Sequence, residues 1–415
     1  MPIYSSFLST VHLNLSTTHM KLRLLLPFAV LIFLFIADSA QSQRTRDLGI
    51  ETGILTPGEF NAITDVSGVK VGHQTVIEGD DIRTGVTAIL PHDGNIFRER
   101  VPAAVYVGNG FGKALGFTQV RELGEIETPI ALTNTLSIHT AANGITDYVL
   151  NQPGNEDVQS VNPLVGETND GWLNEIRARN VTVDDVYAAI GNAETGTVEE
   201  GNVGAGTGTR ALGFKGGIGT ASRVLPSSRG GYTVGVLVQS NFGGILTING
   251  VPIGEELKNH YMANEVPYDL ASIAPSERSQ RSDGYNYDTD GSIMIIVATD
   301  APITSRNLER LAKRAFLGVA RVGGFASNGS GDYIIAFSTH EDVRIHQDDE
   351  AVYSINKLKN SEMTPLFLAA VEATEEAILN SLFQAKTMTG WKGHTQEALP
   401  FDEVMKILEK YNVLD

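Results

Sequence analysis

The sequence predicts a layered α/β protein, a mostly antiparallel double sheet covered by helices. Three observations predict it. Dense β-branched runs such as "SIMIIVATD" (292–300) have the length and composition of buried strands. In "SRNLERLAKRAFLGVARV" (305–322), apolar residues at 308, 311, 315, 319 and 322 fall on one face, the period of a core-facing helix. The 43 glycines among 415 residues supply the tight turns that a chain of short alternating elements needs. No internal repeat is present, and elements of both kinds follow one another along the chain, which favours layers around a common core.

The elements read in order. Residues 43–62 form an irregular lead-in. "VSGVKVGHQTV" and "TAIL" read as short strands, and "AAVYVGNG" as a third that ends in a Gly-Asn-Gly turn. "GKALGFTQVRELG" reads as a helix stopped by Gly124. "TPIALTNTLS" is a strand running into the helix "HTAANGITDYVL". "NPLVGETNDGWLN" (162–174) reads as a loop that gathers acidic and amide groups, and "VDDVYAAI" as a further helix. "YTVGVLVQSNFGG" is a strong strand, and residues 250–291 are polar and loop-like, most of all "APSERSQRSDGYNYDTDG". After the strand from 292 and the helix from 305 come a loop, "GGFASNGSGD", and a strand, "YIIAFST". Helices over about 363–386 and 401–411 close the chain.

Residues 1–42 are expected to be a removable signal region. Lys21 and Arg23 precede the apolar run "LLLPFAVLIFLFIA", and "DSAQSQ" offers Ala40 and Ser42 as the small positions before a cut. Met20 is the candidate start, since residues 1–19 add nothing to this pattern. The run is short against the ~20 residues of a membrane span, so export to the periplasm or medium, with no stable membrane association afterwards, is the expectation. There is no cysteine. Thiol catalysis, cysteine metal sites and disulfides are therefore excluded. The formal charge is −18, and −19 for residues 43–415. A surface of that sign repels phosphate backbones, which argues against a nucleic-acid partner.

Known chemical signatures are mostly missing. The run 201–223 holds eight glycines, yet it contains neither G-x-x-x-x-G-K-[ST] nor G-x-G-x-x-G opening a helix, so it reads as close backbone packing between strands. The nine histidines form no H-x₃-H or H-E-x-x-H pattern, and His139 and His340 read as ordinary core or surface residues. No G-x-S-x-G elbow is present. No metal and no cofactor is expected.

One junction stands out. Gly291 and Ser292 sit between the long polar loop and a core strand. If the chain is cut there, Ser292 becomes an N-terminal residue that carries its own base, because an α-amine has a pKa of about 7.7–8.0. The same hydroxyl can attack the Gly291 carbonyl to make the cut, and the missing Cβ of glycine permits the close approach. Gly-Ser before a strand is also ordinary turn chemistry, and the two residues alone do not decide between these readings.

"DGSIMIIVATDAP" (290–302) resembles the start of the small subunit in the DmpA-type aminopeptidases, which include L-aminopeptidase/D-esterases and β-peptidyl aminopeptidases. "LTNTLS" (132–137), "PLVGETNDGWLN" (163–174), "GAGTGTRALGFKGGIGTASR" (204–223), "YTVGVLVQSNFG" (232–243) and "SGD" (330–332) resemble the same family in the same order. The resemblance covers nearly all of residues 45–415 and implies an αββα sandwich like that of N-terminal-nucleophile hydrolases, with different connectivity. It also implies a self-processing serine aminopeptidase that releases N-terminal residues from small peptides, amides or esters bearing a free amine. The products of the cut would be a large subunit, 43–291, and a small one, 292–415. Family members assemble as oligomers of such pairs, often tetramers.

Roles carry over from the resemblance by position. Ser292 matches the nucleophile and Asn241 the donor to the developing oxyanion. Ser330 and Asp332 match the pair that orients the nucleophile and its amine. Glu167 matches the carboxylate that holds the substrate ammonium. Asn169 falls where some members carry a tyrosine, proposed there as a further oxyanion donor, so its shorter amide departs from the pattern. The polar loop before the cut is longer than in some members. Two rivals remain at this point: an acyltransferase of the ornithine acetyltransferase type, which would use a threonine nucleophile, and a catalytically silent periplasmic binding protein.

Overall fold

Strand alternation sorts the apolar residues of this chain into three layers. In the computed structural model, residues 43–263, 265, 291–347 and 350–414 are described. Seven strands form the larger sheet. Its long members are β3 (Glu99–Gly110), β6 (Gly217–Val224), β7 (Thr233–Asn241), β8 (Ser292–Thr299) and β9 (Gly331–Ser338). They lie in the order β3-β9-β8-β7-β6, with Ile345–His346 and Glu125–Ile126 pairing onto β3. The smaller sheet has four strands: β1 (Lys70–Glu78), β2 (Ile82–Leu90), β4 (Ile130–Asn134) and β5 (Leu164–Thr168), in that order. Most pairings are antiparallel. The parallel ones, β8 with β9 and β4 with β5, each enclose a helix as parallel neighbours require. Those helices are α4 (Ser305–Arg321) and α2 (Ile138–Leu150).

Along β8, Met294, Ile296 and Ala298 face the smaller sheet and pack with Ile130 and Leu132 of β4 and Leu164 of β5. Ile293, Ile295 and Val297 face the other way, onto α4 and the long helix α5 (Met363–Phe383). Val404 and Leu408 of α6 (Phe401–Lys410) join that outer cluster. Beyond the smaller sheet, Val86, Ala88, Ala131 and Val165 pack under α2 and α3 (Val183–Gly191). A period of two on the strands therefore yields helix, sheet, sheet, helix. The expected αββα sandwich is what the chain forms.

The elements match the sequence expectations with informative differences. The helix expected from residue 112 is α1 (Phe117–Leu123), because Gly116 sits at φ 82° and Leu115 before it pairs with Val165. Gly124 ends it at φ 76°, as expected. The loop expected at 162–174 contains β5, all five of whose residues are buried between layers that local sequence does not reveal. The irregular lead-in is tied down. Arg46 pairs with Glu376 of α5 at 3.0 Å, and the Ile54 and Leu55 amides donate to Glu372. The glycine run packs backbones closely. A Cβ on Gly219 would lie 2.0 Å from the Ala377 carbonyl, so α5 rests directly on β6 there. Residues 1–42, the expected signal region, and most of the polar loop before 291 lie outside the described residues. Among the described residues no helix is long and apolar enough to cross a membrane.

Candidate active site

The site is built on strand ends. β8 begins at Ser292, opposite Asn241, the last residue of β7, on one side and Gly331, the first of β9, on the other. Beyond β9, Gly331 pairs with Gly110 at the end of β3. The β-branched run after 292 forces the strand into the core, and Gly291 at its edge has room for no side chain: a Cβ would lie 2.0 Å from the Asn241 carbonyl oxygen. Ser292 is 6% exposed. The Gly331 amide donates to the Gly291 carbonyl at 3.0 Å and to Ser292 Oγ at 3.2 Å. One N–H thus touches both the hydroxyl that would attack in a cut at this bond and the carbonyl oxygen on which charge would grow.

Behind Ser292, Ser330 Oγ donates to Asp332 Oδ1 at 2.5 Å. Both residues are buried, and Asp332 Oδ2 has no hydrogen-bond partner. Burial pushes the Asp332 carboxyl up to about 6, against the Ser330 hydroxyl and the Ile293 amide, which both favour its ionised form. Asn109 Nδ2 donates to the Ser327 carbonyl at 3.0 Å and also to that of Ser330, pinning the "NGSGD" turn to β3.

Asn241 has its side chain fixed from two sides. Its Oδ1 accepts from the Arg210 amide at 3.0 Å, and its Nδ2 donates to the Asn169 carbonyl at 3.0 Å. Asn169 meets this group through its main chain, while its own Oδ1 accepts from the Gly171 amide at 2.9 Å. Glu167, on β5, is 2% exposed. Its Oε1 accepts from the Lys113 amide at 2.8 Å and its Oε2 from the Thr135 hydroxyl. Burial raises its pKa, with those two donors pulling the other way.

A cavity of about 440 Å³ joins these residues. Glu167, Asn169, Asn241, Gly291 and Ser292 line it, and Ser330 and Asp332 do not. Sequence reasoning missed Thr135, Trp172 and Arg210, which line it too. All three lie inside the resembling segments, so the signal was present without a role attached. It also missed Lys215, which is fully buried and donates to the Gly206 and Gly216 carbonyls at 3.1 and 2.7 Å, bracing the segment that carries Arg210. Burial brings the Lys215 ammonium down to about 7. His139 is exposed, and His340 Nδ1 accepts from the Asp342 amide. Among the described residues no group of three or more His, Asp or Glu side chains is placed to hold a metal.

Comparison with known proteins gives the family. The sequence profile of peptidase family S58 matches residues 61–396. The β-peptidyl aminopeptidase BapA of Sphingosinicella microcystinivorans is 40% identical over 395 residues, covering 91% of this chain and 95% of that one. The structure of the PH0078 protein from Pyrococcus horikoshii OT3 superposes with a TM-score of 0.78 at 48% identity, covering 89% of this chain and 99% of that one. The L-aminopeptidase D-Ala-esterase/amidase of Ochrobactrum anthropi, described as a prototype for the serine aminopeptidases and a new variant among the Ntn hydrolase fold, superposes with a TM-score of 0.77 at 36% identity, covering 90% and 99%. Motif order, strand architecture and extent of match coincide: the chain belongs to peptidase family S58.

Proposed function

We propose that this chain is a self-processing serine aminopeptidase with Ser292 as its nucleophile. The observation that carries the reading is the shared Gly331 amide, which contacts the Gly291 carbonyl and Ser292 Oγ together. In processing, Ser292 Oγ bonds to the Gly291 carbonyl carbon and the Gly331 N–H stabilises the charge growing on its oxygen. The Gly291–Ser292 C–N bond breaks, its nitrogen takes up the hydroxyl proton, and an ester remains. Water hydrolyses that ester, leaving a carboxylate on Gly291 and a free amine on Ser292.

In turnover the new α-amine takes the Oγ proton as Oγ attacks the substrate carbonyl. Asn241 Nδ2 has one N–H held by Asn169 and the other available to the oxyanion. The unpartnered Oδ2 of Asp332 supplies an acceptor for the protonated amine. Glu167 holds the free ammonium of the substrate, a charge-assisted contact that a blocked amine cannot make. The departing amine leaves with a proton, and water cleaves the acyl ester.

Small peptides, amides or esters with a free amine fit a cavity of this size. The name of the Sphingosinicella relative extends the substrate panel to β-residues. The signal-like residues 1–42 and the resemblance support export to the periplasm or medium. They also support a mature enzyme of paired 43–291 and 292–415 pieces, assembled as an oligomer.

Intact-mass analysis and a panel of α- and β-aminoacyl p-nitroanilides test the reading. The purified protein is expected as two chains, the second starting at Ser292, and Ser292→Ala as one uncut chain with no amidase activity. An active single chain, or a second chain starting elsewhere, overturns it.

A further inference from the structure

The ammonium clamp is itself held in place, by groups that have no role in the chemistry above. This inference rests on the aminopeptidase reading of the site. We propose that Thr135 is a positioning residue for substrate binding: its hydroxyl, together with the Lys113 amide, fixes the Glu167 carboxylate in the orientation that takes the substrate amine.

Glu167 is buried, so its orientation comes from partners inside the protein. Each oxygen has one. The Lys113 amide donates to Oε1 at 2.8 Å, and the Thr135 hydroxyl donates to Oε2. A carboxylate has about four acceptor sites, so both oxygens keep capacity for an ammonium. Glu167 and Thr135 both line the cavity from which that ammonium would approach. The two donors are fixed as well. Lys113 follows Gly112, where a Cβ would lie 2.7 Å from Tyr333 Cε2, so the chain past β3 is pressed against β9. Thr135 is the first residue after β4, whose Thr133 is paired with Glu167 in the parallel register. Asn134 locks the turn between strand and helix. Its Oδ1 accepts from the Leu136 and Ser137 amides at 3.1 and 3.0 Å, and its Nδ2 donates to Thr84 Oγ1 at 2.7 Å.

The same hydroxyl favours the charged form of the clamp. Burial raises the Glu167 carboxyl, and the Thr135 hydroxyl, the Lys113 amide and the Lys113 ammonium act against it. Asp170, just past β5, and Tyr333 on β9 also feel the Glu167 charge. Taking away the Thr135 hydroxyl removes one of the groups that favour ionisation, so the carboxyl should titrate at a higher pH. A protonated Glu167 gives up its charge attraction for an ammonium. The loss on removing the hydroxyl is therefore greatest at low pH and shrinks as pH rises.

The test measures kcat/KM for the best aminoacyl p-nitroanilide from about pH 5 to about pH 9 in wild type, Thr135→Val, Thr135→Ala and Thr135→Ser. The ratio of variant to wild type cancels the titrations of the Ser292 amine and the substrate amine, which all four proteins share. Thr135→Val and Thr135→Ala are expected to lose about ten-fold or more on the acid side, the worth of a hydrogen bond to a charged group, with KM raised and kcat nearly kept. Thr135→Ser is expected to follow wild type. Every variant should still split into two chains, because processing involves no substrate amine. In a Glu167→Gln background, where the clamp does not titrate, Thr135→Val should add no pH-dependent loss. A loss of the same factor at every pH, a fall in kcat alone, or a Thr135→Ser as impaired as Thr135→Val overturns the assignment. If Thr135→Val and Thr135→Ala both fail to split, Thr135 serves the fold instead, which overturns it as well. Wild type that turns over no anilide defeats the aminopeptidase reading itself, whereas turnover untouched by Thr135→Val defeats only the role of Thr135.

Discussion

Asp332 is the residue where function and stability oppose each other most directly. Its carboxyl is buried, has one oxygen unpartnered and has a pKa raised to about 6. A raised carboxyl pKa means that the folded state binds the proton more tightly than the unfolded state. Its stabilising effect is complete below the ordinary value near 3.8 and is lost as pH rises through about 6. Asp332→Asn should therefore leave stability at pH 4 little changed and raise it at pH 8 by roughly 3 kcal/mol, while amidase activity falls. Chemical denaturation at the two pH values measures this, and equal effects at both would count against the burial argument. Glu167 gives a second separation. Processing involves no substrate ammonium, so Glu167→Gln should still yield two chains while kcat/KM for aminoacyl anilides drops at least about 100-fold. Parallel loss of both would deny Glu167 its place as the ammonium clamp.

At the scale of elements, α5 carries a buried ionic cluster. Arg223 on β6 is fully buried, with Glu372 at 3.2 Å and Glu376 at 2.6 Å, and Glu376 also takes Arg46 from the lead-in. Removing one side of a buried pair leaves an uncompensated charge, so Arg223→Met should cost about 3–5 kcal/mol. Adding Glu376→Gln should restore part of that loss in urea titrations, and an additive double variant would show that the charges are not coupled. The cluster explains why residues 43–62 looked featureless in sequence. Their order comes from carboxylates more than 300 residues away along the chain. The same applies to β5, whose five residues read as a loop because two packed layers, and not local periodicity, bury Glu167 and Thr168.

For the whole molecule, the proposed cut would divide a sheet into a large and a small piece and leave its layers joined. β8 is hydrogen-bonded to β7 of the large piece on one side and to β9 of its own piece on the other. The helices α4 and α5 of the small piece cover a face built from both pieces. The two chains should therefore co-elute in size-exclusion chromatography and separate only under denaturing conditions. Pieces that part in native buffer would contradict this packing.

Local sequence determined the identities of β8 and α4, because burial on both faces demands the β-branched run after 292 and an amphipathic stripe marks α4. It also supplied the candidate residues of the site, since the resembling segments carry Glu167, Asn241, Ser292, Ser330 and Asp332. The tertiary structure alone decided how those groups face one another. Glu167 and Ser292 lie on different sheets, Asn169 meets Asn241 through its carbonyl, and the Arg210 amide holds Asn241 Oδ1. Hydrogen-bond register between strands far apart in the chain sets those positions, and no local pattern of residues encodes it.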